Sequence, residues 1–170
     1  MSGEPREIES ERLRLVPATP ELVESELEDT SKLAAMLEAD LPPDWPPEHH
    51  DAGAQRYSRE ALTAPGAAGW WLHYFVSTDG ERPTLVGTGG YKGPPIHGIV
   101  EIGYSVVPSA QRRGYGTEAA GSLVESARKR GARRVRAETL PELVASIRVL
   151  EKLGFVAAEP SDSRFIAFAS

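Results

Sequence analysis

Apolar and polar positions change their period along this chain, and the changes mark its elements. Arg12–Val16 alternates as a short strand. Thr19-Pro20-Glu21 is a helix start, with a hydroxyl cap and then proline at the first helical position. That helix should reach about Glu28, and a second should span Thr30–Glu38. Leu41–Pro47 holds four prolines around Trp45 and must be irregular. His49–Thr63 reads as a third helix. From Trp70 the period falls to two. Trp71–Ser77 and Thr84–Tyr91 read as strands joined at Asp79-Gly80, a hairpin signal. Gly93-Pro94-Pro95 interrupts the chain, and Ile99–Val107 is the next strand. One of its faces carries Val100, Ile102, Tyr104 and Val106. The other carries Glu101, Gly103 and Ser105.

After a loop at Pro108–Gly116, the period returns to 3.6. Thr117–Arg130 places Ala119, Ala120, Leu123, Val124 and Ala127 on one face, and Gly131 ends the helix. Arg134–Glu138 is a strand. Pro141–Leu153 is a helix with Leu143, Val144, Ile147, Leu150 and Leu153 inward, and Gly154 follows it at C′. Phe155–Ala158 and Ser163–Ala169 are two last strands. This order is mixed α/β (α+β), with about seven strands in a mostly antiparallel sheet flanked by helices. The strand–helix–strand unit around Thr117–Arg130 needs a right-handed crossover, which makes one strand pair parallel.

Length adds that 170 residues make one domain, 1–170, with 1–9 expected to fray as a tail. There are no cysteines, which excludes disulfides, thiolate metal sites and a cysteine nucleophile. No apolar run approaches membrane-span length, and the polar, acidic start reads as neither a signal nor a transit peptide. These features fit a cytoplasmic protein away from membranes.

Charge changes the picture more. Residues 1–60 carry 15 acids and 6 bases, and the whole chain has a net charge of −6. Residues 111–136 hold eight Arg or Lys against Glu118 and Glu125. An anionic partner for this segment is one reading; a solvated helix end, where cations are favoured, is the other.

The chemistry concentrates at Gln111-Arg112-Arg113-Gly114-Tyr115-Gly116. Two glycines at i and i+2 permit a tight turn and close approach of a ligand. The helix start that follows presents unpaired N–H groups at the positive end of its dipole, an arrangement suited to phosphate. Arg112 and Arg113 add charge. The residues also allow a glycine-rich turn with no ligand. A Walker loop is absent. A dinucleotide fingerprint is met loosely, with Ala119 at the third glycine position and Glu138 as its acid. Such a unit would sit early in a parallel sheet rather than after an antiparallel meander.

The stretch Glu101–Pro108, followed by Gln111–Ala119, resembles the acetyl-CoA core of the GNAT superfamily of N-acyltransferases. Its signature is Gln/Arg-x-x-Gly-x-Gly/Ala at this strand–helix junction. Ala145–Phe155 resembles that family's next helix and strand. Glu11–Pro17 resembles the first strand of the ribosomal-protein N-terminal (Rim-type) branch. The resemblance covers nearly the whole chain. It implies direct acetyl transfer from acetyl-CoA, as co-substrate, to a primary amine in a ternary complex, with no metal. Backbone N–H groups of Gln111, Arg112, Arg113, Gly114, Tyr115, Gly116 and Thr117 are then expected to hold the CoA pyrophosphate. Tyr104, Ser105, Val106 and Val107 are expected to pair with the pantetheine arm.

The resemblance also assigns roles. Glu101, on the strand leading to the cofactor, is the candidate base for the amine. Ser146 stands where Rim-type members carry a serine, and is expected to hydrogen-bond the leaving thiolate. Pro141–Leu153 has no Tyr, which many members use there. Leu143 stands where similar sequences have Asn, and this departure feeds an alternative: a non-catalytic acyl-CoA-binding sensor. Trp45, His49, His50, Trp70, His73, Tyr74 and Tyr91 are candidates to line the acceptor end, each with packing as its other reading. His49 and His50 point apart on a helix, so no metal site is expected. An RNA-binding reading of 128–136 finds no aromatic stacking platform. The partner is therefore an amine, as a small molecule or a protein N-terminus, with no nucleic acid or membrane. Dimers are frequent in similar proteins, which leaves a homodimer open.

Overall fold

The computed structural model describes residues 5–170. Its elements, in chain order, are β1 (Ile8–Glu9), β2 (Leu13–Pro17), α1 (Pro20–Glu28), α2 (Thr30–Leu37), α3 (Ala52–Ala61), β3 (Leu72–Ser77), β4 (Thr84–Tyr91) and β5 (Ile99–Val106). After a 3₁₀ turn at Pro108–Ala110 come α4 (Tyr115–Lys129), β6 (Arg134–Thr139), α5 (Val144–Lys152), β7 (Val156–Ala158) and β8 (Ile166–Ala169). One eight-stranded sheet results, in the order β1-β2-β3-β4-β5-β6-β8-β7. Every neighbouring pair is antiparallel except β5–β6.

The mixed α/β class, the antiparallel meander and the single parallel pair agree with the expectation. The strand count does not: β1 makes eight where about seven were expected. Ile8 and Glu9 pair with Leu15 and Arg14, inside the stretch expected to fray. Residues 1–4 of that tail lie outside the described residues.

Local chemistry sets the helix limits. Thr19 caps α1 by accepting from Leu22 N. Asp29 ends α1 and caps α2 through Ser31 N. Asp51 accepts from Ala54 N, so α3 begins at Ala52 rather than His49. Before α5, Leu143 sits at the cap position with no side-chain oxygen to offer, so the helix starts at Val144 rather than Pro141. The Asp79-Gly80 turn lies within a longer connection, because β3 ends at Ser77 and β4 starts at Thr84.

An apolar cluster packs on each face of the sheet. Leu13, Leu15, Phe75, Ile102, Val135 and Phe168 pack with Tyr115, Ala119, Leu123 and Ala127 of α4 and Leu150 of α5. On the opposite face, Val16, Tyr74, Val76 and Leu85 pack with Leu22 and Val23 of α1 and Leu33 and Leu37 of α2.

Candidate functional site

β5 and β6 part company at the centre of the sheet. Their parallel pairing runs from Ile99↔Arg134 to Ile102↔Ala137 and stops. β5 continues to Val106 with β4 alone on its flank. Lys92 N donates to Glu101 O and Val107 N donates to Val86 O, which fixes the alternation of the β4–β5 ladder. Gly103 and Ser105 therefore turn their backbone groups toward β4. Tyr104 and Val106 turn theirs into the opening. Of the four residues expected at the pantetheine arm, Tyr104 and Val106 thus have outward backbone. Val107 is buried, with its N–H already bonded.

The loop from Val107 to Gly114 carries the chain from this opening to α4. Gln111 Nε2 donates to Val106 O at 3.0 Å and folds the loop back on its strand. Arg112 and Gly114 both adopt positive φ, 62° and 83°. Gly114 caps α4 without a side chain, so nothing from the cap covers the first N–H groups. The backbone of Tyr115, Gly116 and Thr117 belongs to that first turn. The Tyr115 side chain does not face a ligand: it is core, with its hydroxyl donating to Asp79 Oδ1 at 2.7 Å.

Sequence reasoning missed what holds this loop. Arg12 Nη1 donates to Arg113 O at 2.7 Å, and its guanidinium lies 4.8 Å from the Tyr115 ring centroid. Arg12 N and Nε, together with Ser10 Oγ, donate to the Glu118 carboxylate. Burial alone would raise the Glu118 carboxyl, but these hydrogen bonds outweigh it and hold it below its ordinary range. A cation opposite an acid in the first turn of an amphipathic helix was the available signal. No short-range pattern links residues 108 positions apart.

Glu101 stands on the face of β5 opposite α4, as its alternation predicted. It is not alone there: Lys92 Nζ donates to Glu101 Oε1 at 2.5 Å across the strand pair. Ser146 sits on α5 at the far side of the opening, and the Tyr104 hydroxyl donates to its carbonyl at 3.3 Å. Burial raises the Tyr104 hydroxyl, and hydrogen bonding with Ser146 offsets part of that. The Tyr104 side chain thus links β5 to α5.

The aromatic and histidine candidates divide into two structural clusters. Glu26 is buried on α1 and accepts from Tyr74 Oη (2.7 Å), Trp45 Nε1 (2.9 Å), His50 Nε2 (3.0 Å) and Gln55 Nε2 (3.4 Å). This hub ties the proline-rich segment, α3 and β3 to α1. His49 is exposed and does not join it. In the second cluster the Arg130 guanidinium lies 3.4 Å from the Trp70 ring centroid and donates to Gly69 O. Trp70 meets Tyr91 edge-on, and Tyr91 meets His73. His73 Nδ1 donates to Trp71 O, and burial drives its pKa down to about 4. Six of the seven acceptor candidates are therefore held in packing, His49 being the exception.

The cationic run also resolves into structure. Arg128 bonds Ser170, Arg133 bonds His97 O, Arg136 bonds Glu159 O, and Lys129 pairs with Glu125. This run lies at the far end of α4, about 20 Å from the loop at ~1.5 Å per residue. The cations at the loop are Arg112, Arg113 and Arg12. Among the described residues no group of His, Cys, Asp and Glu could hold a metal ion.

A family model described as an acetyltransferase (GNAT) domain matches residues 12–156. Among curated proteins, the uncharacterized N-acetyltransferase YjdG of Bacillus subtilis (strain 168) is 27% identical over 150 residues, spanning 88% of this chain and 89% of that protein. A GNAT-family acetyltransferase structure from Bacillus anthracis superposes with a TM-score of 0.64 at 21% identity, over 97% of this chain and 98% of that one. The ribosomal-protein-S5-alanine acetyltransferase of Vibrio fischeri gives 0.64 at 18% identity, over 97% and 96%. RimL, a ribosomal L7/L12 alpha-N-protein acetyltransferase solved with coenzyme A, gives 0.62 at 19% identity, over 97% of each chain. At these identities the structural likeness speaks to the fold.

Proposed function

Since the chain belongs to the GNAT acetyltransferase family, we propose that it moves an acetyl group from acetyl-CoA directly to a primary amine within a ternary complex, using residues 1–170 as one unit. The observation that carries this reading is the parting of β5 from β6 beside an α4 N-terminus that no side chain caps. The residues present fit the co-substrate. Tyr104 offers its edge backbone groups to an amide-bearing arm, as a β-strand edge offers them to another strand, and Val106 offers its N–H beside a carbonyl that already accepts from Gln111 Nε2. The first turn of α4, with Arg112, Arg113 and Arg12 beside it, offers N–H groups and positive charge to a pyrophosphate. Acetyl-CoA would supply the acetyl group as an activated thioester.

Glu101 serves as the base. At pH 7 an alkyl amine of pKa ~10.4 is only about 0.04% neutral, whereas an α-amino group of pKa ~7.7–8.0 is about 10–17% neutral. A carboxylate that takes the ammonium proton, directly or through water, therefore matters most for alkyl amines. The Ser146 hydroxyl donates a hydrogen bond to the departing sulfur, with Tyr104 holding β5 and α5 at the distance this requires. No cysteine intermediate is involved, consistent with a chain that has none.

The acceptor is an amine on a small molecule or a protein N-terminus. RimL and the S5-alanine enzyme bear the names of ribosomal proteins, which makes N-terminal peptides a natural part of a screen. No helix among the described residues is long and apolar enough to cross a membrane, and we place the activity in the cytoplasm. The test is a mass-spectrometric acetylation screen across N-terminal peptides and small amines. Transfer to any of them supports the reading. Tight acetyl-CoA binding with transfer to none would favour a non-catalytic acyl-CoA sensor, which the uncapped start of α5 at Leu143 keeps in view.

A further inference from the structure

The ladder of β4 and β5 places three cross-strand pairs in a row on the face opposite α4. Lys92 stands opposite Glu101, Gly90 opposite Gly103, and Thr88 opposite Ser105. The middle pair leaves a bare stretch of sheet between an ion pair and two hydroxyls. The two glycines are bare for different reasons. A Cβ at Gly90 would strike the Trp71 carbonyl oxygen at 2.0 Å. A Cβ at Gly103 would meet nothing within 4 Å, and Gly103 needs no positive φ. Packing therefore does not account for a glycine at 103, although glycine weakens a strand. The space it leaves belongs to a cleft of about 170 Å³, walled by Tyr57 and Trp71 and edged by Lys92. At ~30 Å³ per water-sized group, that is room for about half a dozen heavy atoms.

Lys92 is the only charged residue lining the cleft among the described residues, and Glu101 stands just beyond the lining, in contact with Lys92 Nζ. Among the described residues the ion-pair partner of Lys92 is Glu101, and the pair is solvent-exposed enough to open at little cost. Glu138, the next carboxylate in reach of its field, is already held by Ser161 N and Oγ and by Arg136. An ammonium group arriving at Glu101 must displace Lys92. A plain amine would leave the lysine unpaired and facing another cation. An acceptor carrying its own carboxylate would instead exchange one ion pair for two.

We propose that this cleft, together with Glu101 at its border, is the acceptor site and that it selects zwitterionic acceptors, primary amines with a carboxylate a few bonds away, by pairing the amine with Glu101 and the carboxylate with Lys92. This rests on the transfer reading above. The chemistry has two sources, a free α-amino acid or a peptide that begins with Asp or Glu.

The test compares free amino acids with their C-terminal amides, and amidated peptides starting with Asp or Glu with matched peptides starting with Ala or Lys. Each is measured for kcat/KM and, separately, for binding to the CoA-loaded protein by calorimetry. The carboxylated members should be preferred by about tenfold or more, some 1.4 kcal/mol. Lys92→Met should abolish that preference and leave CoA affinity unchanged. Gly103→Ala, for which the fold has room, should weaken acceptor binding. Equal use of amides, or a preference that survives Lys92→Met, overturns the proposal. Selective binding without turnover would uphold the cleft while sinking the transfer reading. Which arm responds tells free amino acid from peptide.

Discussion

Gly114 is the residue on which the loop geometry turns. Its φ of 83° is one that L side chains adopt at a cost, and an added Cβ would lie 3.1 Å from Arg12 Nη2. Gly114→Val should lose CoA affinity by more than about tenfold, because the branched side chain strains the turn and crowds the approach to the α4 N-terminus. Calorimetry reads the affinity and a thermal melt checks the fold. Unchanged affinity would remove the loop from the binding site. Glu101 was legible as a strand-face acid beside the signature. Its partner was not, because Lys92 reaches it only through the β4–β5 register, which no local pattern specifies. If Glu101 is the base, Glu101→Gln should slow transfer most at low pH, where neutral amine is scarcest, and should approach wild type as pH rises. A deficit of constant size across pH would argue for a positioning role instead.

At the scale of elements, the strand–loop–helix unit from β5 to α4 could be read almost directly. Its signals are local: alternation, two glycines, then a 3.6-residue period. What lay beyond reach is how the chain's first strands brace it. Ser10 and Arg12 close on Glu118, and Arg12 continues to the Arg113 carbonyl. Both partners of the pair are partly shielded from solvent, and the carboxylate accepts three donors, so the link should be worth more than a surface ion pair. Arg12→Ala should destabilise the fold by about 1–2 kcal/mol and weaken CoA binding several-fold through a loosened loop. Glu118→Gln should do less, since the amide oxygen can still accept. A double-mutant cycle on CoA affinity provides the check; strict additivity would mean the two act independently. The early end of α5 has a similar moral. Apolar spacing extended that helix back to Pro141, but spacing is silent on caps, and Leu143 provides none.

For the whole molecule, the cationic run at 111–136 could be read as a face for an anionic partner or as a solvated helix end. The fold keeps only part of either reading. Much of the basic run is spent on tying α4, β6 and the β8 end together, and Arg130 clamps Trp70 against Tyr91 beside His73. This clamp gives the fold a pH dependence. His73 is buried and neutral, with a pKa of about 4 against 6.5 for the free side chain. Above pH 6.5 neither folded nor unfolded chain protonates it, so its contribution is intact. As pH falls from 6.5 to about 4 the unfolded chain takes up a proton that the folded one refuses, and stability declines by roughly 3 kcal/mol before levelling off. Carboxylates such as Glu118 and Glu138, held below their ordinary range, add their losses at the acid end of this window. His73→Asn keeps a donor for the Trp71 carbonyl but cannot titrate. Urea unfolding of both proteins across pH 4–7.5 should therefore show wild type losing stability faster than the variant, with curves that converge or cross toward pH 4. Parallel curves would mean that the Arg130–Trp70 cluster opens far enough to hydrate His73 in the folded state.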